Sequence, residues 1–163
     1  PDTVRYRPGV TMTRSASPTE PDCVFCAIVA GDAPAHLVWR DHAVVAVLDR
    51  TPLFAGHTLV VPVGHHVTLG DLPVDQVGHY FERVQFLSRV VQQGTDAAGS
   101  FVAMNNVVSQ SVPHLHTHVV PRNRKDGLKG FFWPRGRYRS DDEAAEVADR
   151  LRATADALSP AEG

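Results

Sequence analysis

From Asp22 onward, short apolar runs alternate with turn residues in a rhythm that predicts both strands and helices. Phe25, Ile28 and Val29 recur at helical spacing and are followed by Gly31, a residue suited to ending a short helix. His36–Arg40 and Ala43–Leu48 are β-rich runs with Asp41-His42 between them, the pattern of a hairpin. Thr58–Val63 supplies a third strand after the Pro52–Gly56 connection. Asp71-Leu72-Pro73 then opens the longest periodic stretch. Between Val74 and Gln93, the residues Val77, Phe81, Val84, Leu87, Val90 and Val91 form one apolar stripe, while Asp75, Glu82 and Arg83 fall elsewhere. Gly94 and Gly99 interrupt that pattern, Ser100–Met104 gives a fourth strand, and the run from Val112-Pro113 to Val119-Val120-Pro121 gives a fifth. Ser140–Glu143 reads as a capping box, and Val147, Leu151, Ala155 and Leu158 as the apolar stripe of a terminal helix. Strands, helix, then strands predict an α+β fold: a five-stranded antiparallel sheet, a long helix packed on it, and a terminal helix closing one domain over residues 22–163. Residues 1–21 hold Pro1, Pro8, Pro18 and Pro21 without apolar periodicity and read as a flexible leader.

Composition narrows the class. At 163 residues the chain is long enough for one core and short for two. A formal net charge of −2 argues against a nucleic-acid coat, and no run of about 18 apolar residues is present to span a membrane. The expectation is a soluble protein. With no charged segment followed by an apolar one at its start, it is expected in the cytoplasm.

The fifth strand carries the chemistry. His114, His116 and His118 occupy every second position, so in a strand they line one face while Leu115, Thr117 and Val119 line the other. A lone histidine is usually a satisfied structural residue; three in register form a row of nucleophiles, acid–base groups or metal ligands. Ser109-Gln110-Ser111 upstream adds hydroxyl and amide groups, and Arg122 and Arg124 follow closely, a neighbourhood suited to an anion. The two cysteines, Cys23 and Cys26, admit three readings: a redox pair, metal ligands, or small buried hydrophobes.

The run Gln110-Ser111-Val112-Pro113-His114-Leu115-His116-Thr117-His118-Val119-Val120 resembles the signature of the histidine-triad nucleotide hydrolases and transferases. Cys23-Val24-Phe25-Cys26, Leu48-Asp49-Arg50-Thr51-Pro52 and Gly56–His65 match the same family in order, so the resemblance runs from about Asp22 to Arg122. It implies a homodimer pairing through the long helix and the sheet edge, and a purine nucleotide as substrate. It implies that His116 attacks the α-phosphate and forms a nucleotidyl-histidine, with the His114 carbonyl holding its other nitrogen. His118 would contact phosphate oxygens, Ser111 the leaving group and Gln110 the phosphate. Asp49 would bind ribose hydroxyls, and Asn105 or Asn106 phosphate or ribose. His57 matches a family position but reads as a support for the fold. In some bacterial members a structural zinc is held at positions that are here Cys23, Cys26, His65 and His114, with His66 as an alternative ligand; such a zinc would pin the amino-terminal segment to the triad strand.

Three departures from the family pattern touch the rim of the pocket. The loop from Asn105 to Gln110 is about two residues short, Ser109 replaces a glycine, and Thr117 replaces an apolar residue. Beyond the triad, residues 122–139 hold seven basic residues against Asp126, interleaved with Phe131, Phe132 and Trp133. That segment reads either as a solvated loop or as a lid in which Trp133 stacks on the base. His36, His42 and His79 read as surface or satisfied residues. Three functions fit: a nucleotide-phosphate hydrolase, a nucleotidyl transferase or phosphorylase using the same intermediate, and a nucleotide-binding regulatory module with little turnover.

Overall fold

A computed structural model describes residues 20–128 and 138–158. They fall into two compact units divided at Asp126 and Gly127. In the first unit, helix α1 (Val24–Ala30) precedes strands β1 (Leu37–Arg40), β2 (Val44–Leu48) and β3 (Thr58–Pro62). A 3-10 turn at Leu69–Asp71 leads into helix α2 (Val74–Gly94), and strands β4 (Gly99–Ala103) and β5 (Thr117–Arg122) follow. The sheet is antiparallel throughout, in the order β1-β2-β3-β5-β4. The expected strand count, strand direction and long helix are all present.

Alternation along the strands divides the core into two layers. Val44, Ala46, Val60, Leu115 and Val119 pack with Tyr80, Val84, Leu87 and Val91 of α2. Val45, Val47, Leu59 and Val61 point the other way and pack with Phe25, Val29 and both cysteines around α1. Because β2 and β3 are buried on both faces, their sequences read as unbroken apolar runs. Gly31 ends α1 in the left-handed conformation (φ 86°), donating its N–H to the Ala27 and Ile28 carbonyls. Gly56 (φ 95°) is required twice over, since a Cβ there would also lie 2.5 Å from Thr95 Cγ2.

Two expectations need correction. The buried stripe of α2 is Tyr80, Val84, Leu87 and Val91, and Phe81 and Val90 fall outside it at 38% and 36% exposure. Tyr80 escapes an apolar-only reading because its hydroxyl is satisfied in the core, donating to the Val60 carbonyl at 3.0 Å and pairing with Thr117 Oγ1 at 2.7 Å. The fifth strand begins its ladder only at Thr117, so His114 and His116 precede it and His118 alone lies on paired strand. The strand also runs past its expected end, with Pro121 opposite Ser100 and Arg122 opposite Gly99.

The second unit contains helix α3 (Asp141–Leu158). Its start is capped as the sequence implies: the Glu143 N–H donates to Ser140 Oγ at 3.2 Å, and the Glu143 carboxylate reaches back to the Arg139 N–H at 2.6 Å. Val147 is half-buried and Leu151 is 65% exposed. Among the described residues no helix is long and apolar enough to cross a membrane.

Leu87 is fully buried at the centre of the α2 layer, and its truncation leaves a cavity that the surrounding strands cannot fill. Leu87→Ala is expected to cost about 2–5 kcal/mol in urea unfolding. Phe81→Ala, on the same helix but outside the stripe, is expected to stay within about 1 kcal/mol of the parent.

Candidate functional site

The segment ahead of β5 keeps strand-like alternation without a ladder partner. Leu115 N–H donates to the His66 carbonyl at 2.5 Å, and Leu115 points into the α2 layer. His114 and His116 therefore face the α1 layer, where Phe25 meets both rings edge-on at 5.9 and 5.1 Å. Both histidines are buried, and the His116 and His118 rings lie 5.0 Å apart.

Hydrogen bonds assign the protons. His116 Nδ1 is 2.7 Å from the His114 carbonyl; a carbonyl only accepts, so Nδ1 donates and Nε2 is left with its lone pair. His57 Nδ1 accepts the Leu53 N–H at 3.2 Å, which puts the His57 proton on Nε2, 2.9 Å from His118 Nδ1. His118 Nδ1 is thus an acceptor, and its proton resides on Nε2. The pair therefore offers a lone pair on one ring beside an N–H donor on the next. His57, read from the sequence as a fold support, sets the tautomer of a triad residue; its only sequence signal was its match to a family position. Asp49 completes this side: Oδ2 lies 3.6 Å from His57 Nδ1, while Oδ1 accepts the Thr51 N–H at 2.8 Å.

The loop from Asn105 to Ser111 uses its polar side chains internally. Asn105 Nδ2 donates to the Ser109 carbonyl at 3.1 Å, and Asn106 Oδ1 accepts the Leu69 N–H at 2.8 Å. Gln110 donates to the Val67 carbonyl at 2.6 Å and accepts the Val107 N–H at 2.9 Å. This bracing holds Val107 and Ser109 at positive φ, 69° and 62°, a conformation that a β-branched valine rarely adopts. Ser111 lines a cavity of about 530 Å³ together with Glu20, Asp22, Cys23, His65, Val67 and Pro113. Arg122, expected near an anion, is engaged with Asp126 in a paired contact through Nε and Nη2 at 2.5 and 3.0 Å. Trp133, with the rest of residues 129–137, lies outside the described residues.

Cys23, Cys26, His65 and His114 bring their ligand atoms together, all within 4.8 Å of one another. Cys23 Sγ lies 3.4 Å from His114 Nδ1, and Cys26 Sγ lies 3.3 Å from His65 Nδ1 and 3.6 Å from His114 Nδ1. A tetrahedral zinc with bonds of about 2.3 Å to sulfur and about 2.0 Å to nitrogen separates such donors by about 3.6 Å. His114 Nε2 donates to the Pro62 carbonyl at 3.0 Å, which leaves Nδ1 unprotonated and aimed at the cysteines, the outer-shell arrangement of a metal-binding histidine. The donor set and spacing fit a closed structural zinc. His66, the alternative ligand, is not in the cluster; its Nε2 is buried over Gly64.

Burial perturbs the site's imidazoles. It pushes His118 down to about 4, helped by the neighbouring His116 and His57 and opposed by Asp49. It also lowers His57, again against Asp49. Both rings are therefore neutral near pH 7, as the proton assignment requires.

A two-layered antiparallel sheet with this row of imidazoles beside its central strand defines a protein of histidine-triad architecture. The HIT domain family matches residues 30–125, and the chain belongs to that family. Over 108 residues it is 38% identical to an uncharacterized HIT-like protein of Methanocaldococcus jannaschii, covering 64% of this chain and 82% of that one. It is 31% identical over 115 residues to an adenylylsulfatase of Arabidopsis thaliana, covering 69% of this chain and 58% of that longer protein. Over 118 residues it is 27% identical to an adenosine 5′-monophosphoramidase of Candida albicans, covering 69% of this chain and 78% of that one. Among solved structures, a protein of Streptococcus mutans aligns with a TM-score of 0.74 at 33% identity, covering 83% of this chain and 86% of that one. A zinc-bound histidine triad family protein of Mycobacterium smegmatis aligns with a TM-score of 0.63 at 37% identity, covering 81% of this chain and 97% of that one.

The lowered His118 has a measurable consequence. In the folded chain it protonates near 4, but in the unfolded chain near 6.5, so below pH 6.5 the unfolded state binds the extra proton. Stability from this group is complete above about 6.5 and is lost as pH falls toward 4. The urea midpoint is expected to drop between about pH 7.5 and about pH 5, and His118→Asn should make that drop shallower.

Proposed function

We propose that the chain is a nucleotide-phosphate hydrolase acting on a purine nucleotide with a leaving group on its α-phosphate. The observation that carries this reading is the His116–His118 pair, an unprotonated nitrogen beside a fixed N–H donor. His116 Nε2 attacks the α-phosphorus, a phosphorus–nitrogen bond forms as the bond to the leaving group breaks, and His118 Nε2–H stabilises charge on the phosphoryl oxygens. Ser111 passes its hydroxyl proton to the departing group and recovers one from the water of the second step. Water then cleaves the phosphorus–nitrogen bond and frees the nucleotide and His116, with overall retention at phosphorus after two displacements. Asp49 binds the ribose hydroxyls through carboxylate lone pairs beyond its contacts to Thr51 and His57. Asn105, Asn106 and Gln110 serve the phosphate and ribose by shaping the loop they brace and through whatever amide capacity remains. Trp133 is proposed to cover the base.

Glu20 and Asp22 on the wall of the cavity that Ser111 shares favour an amine as leaving group, since further phosphates would meet like charge there. Transfer to phosphate in place of water is the second reading and uses the same intermediate. Two copies pairing along β4, whose other neighbour among the described strands is lacking, would cover that sheet edge. Support for hydrolysis comes from the names of the Arabidopsis and Candida relatives, an adenylylsulfatase and a phosphoramidase.

The test incubates the protein with adenosine phosphoramidate and with diadenosine tetraphosphate, following nucleotide release by chromatography and adducts by intact mass. Adenosine phosphoramidate is expected to turn over faster, and His116→Ala to abolish release with both substrates while nucleotide still binds. Release that survives His116→Ala would sink the mechanism. Release only when inorganic phosphate is supplied would favour the phosphorylase reading.

We also propose that Cys23, Cys26, His65 and His114 hold a structural zinc, which when bound would tie α1 to the triad segment. Cys23→Ser is expected to lower the metal content and the Tm by several degrees while changing kcat far less than His116→Ala does. Equal metal content in the variant and the parent would refute this assignment.

A further inference from the structure

A second group of ligand-type side chains converges where the β1–β2 turn meets α2, on elements that contribute nothing to the triad. Asp41 and His42 come from the turn and His79 from the second turn of the helix, and their ligand atoms lie within 4.8 Å of one another. The two imidazoles lie nearly side by side, with centroids 4.8 Å apart and planes tilted by 31°.

One atom in this group is unexplained. His79 Nε2 is buried and has no hydrogen-bond partner among the described residues, an arrangement that native proteins avoid. The opposite nitrogen, Nδ1, lies 3.5 Å from Glu82 Oε2. This is an ion-pair distance rather than a hydrogen bond, and a carboxylate beside Nδ1 favours the proton on that nitrogen, with the lone pair on the buried Nε2. A carboxylate beside one nitrogen of an imidazole whose other nitrogen is unsatisfied resembles the outer shell of metal-binding histidines. Asp41 is ionised and rigid: its Oδ1 accepts the Ala43 and Val44 N–H groups at 2.9 Å each, and its Oδ2 pairs with Arg83. Both lone pairs of Oδ1 are spent on these N–H groups, while Oδ2 keeps one beyond its contact with Arg83, and that is the position open to a metal.

We propose that Asp41, His42 and His79 form a second metal site, for a borderline divalent ion of the zinc, cobalt, nickel or copper class, that clamps the β1–β2 turn to α2. Two imidazoles and one carboxylate suit that class and leave positions open for water. The site is weaker than the cysteine cluster, because it lacks thiolates and because Arg83 places a positive charge on the shared carboxylate. It owes nothing to the nucleotide reading.

The test is a cobalt titration of the chelator-stripped protein, followed by visible absorption and by metal counting. Cobalt on thiolates gives a near-ultraviolet charge-transfer band, whereas cobalt on imidazole and carboxylate gives only weak d–d bands. The parent is expected to bind one equivalent with the band and a weaker one without it. His42→Ala and His79→Ala should each lose the weaker equivalent and keep the band; His42 is exposed, so its variant isolates ligation from folding. The Cys23→Ser/Cys26→Ser protein should do the reverse. Glu82→Gln should weaken the second equivalent without removing it. A parent that binds no equivalent outside the band, or one whose second equivalent survives both histidine variants, overturns the proposal.

Discussion

The site depends on two different groups of one residue. The carbonyl of His114 accepts the Nδ1 proton of His116 and so leaves the lone pair on Nε2, while the His114 imidazole faces Cys23, Cys26 and His65. Any movement of His114 toward or away from α1 is thereby transmitted to the orientation of the His116 ring. Its own second nitrogen is tied to Pro62 at the end of β3, so the residue is held from the sheet side as well. Burial reinforces the arrangement: both rings are almost wholly excluded from solvent, so the bonds of His114 Nε2 to Pro62 and of His116 Nδ1 to His114 are costly to break.

Much of the architecture was legible because pattern and physics agree where both faces of an element are specified. The alternation of β2 and β3, the glycine stop after α1 and the cap of α3 were all readable locally. The convergence of Cys23, Cys26, His65 and His114 was legible only through family resemblance, since Cys23 and His114 stand 91 residues apart and no local rule joins them. The α2 stripe was right at Val84, Leu87 and Val91 but missed Tyr80, which is polar by composition but apolar in most of its surface and whose hydroxyl finds partners only after the helix docks. The late start of the β5 ladder could not be read either: His114 and His116 keep strand periodicity while their backbone partners lie elsewhere, as the Leu115 bond to His66 shows.

The site also contained more than the triad motif implied. His57 looks like an ordinary strand-entry histidine until β3 and β5 pair; their register then sets Thr58 opposite Val119 and brings His57 against His118. Conversely, Asn105, Asn106 and Gln110, whose amides suggest ligand contacts, spend hydrogen bonds on bracing their own loop. The same loop holds Val107 and Ser109 at positive φ, where a β-branched valine is strained.

The strand order has a consequence for how this protein comes into being. β5 is the last strand in the sequence, yet it lies between β3 and β4. Until it arrives, β4 has no partner and β3 presents an open edge, so the earlier four strands form a ribbon and a stray segment rather than a sheet. The chain cannot accumulate its architecture piece by piece; it must wait for its most distant contacts, the regime in which folding is slow and cooperative. His118 enters on that closing strand and His114 and His116 lie just ahead of it, so the pairing that completes the sheet also brings the three imidazoles into one row.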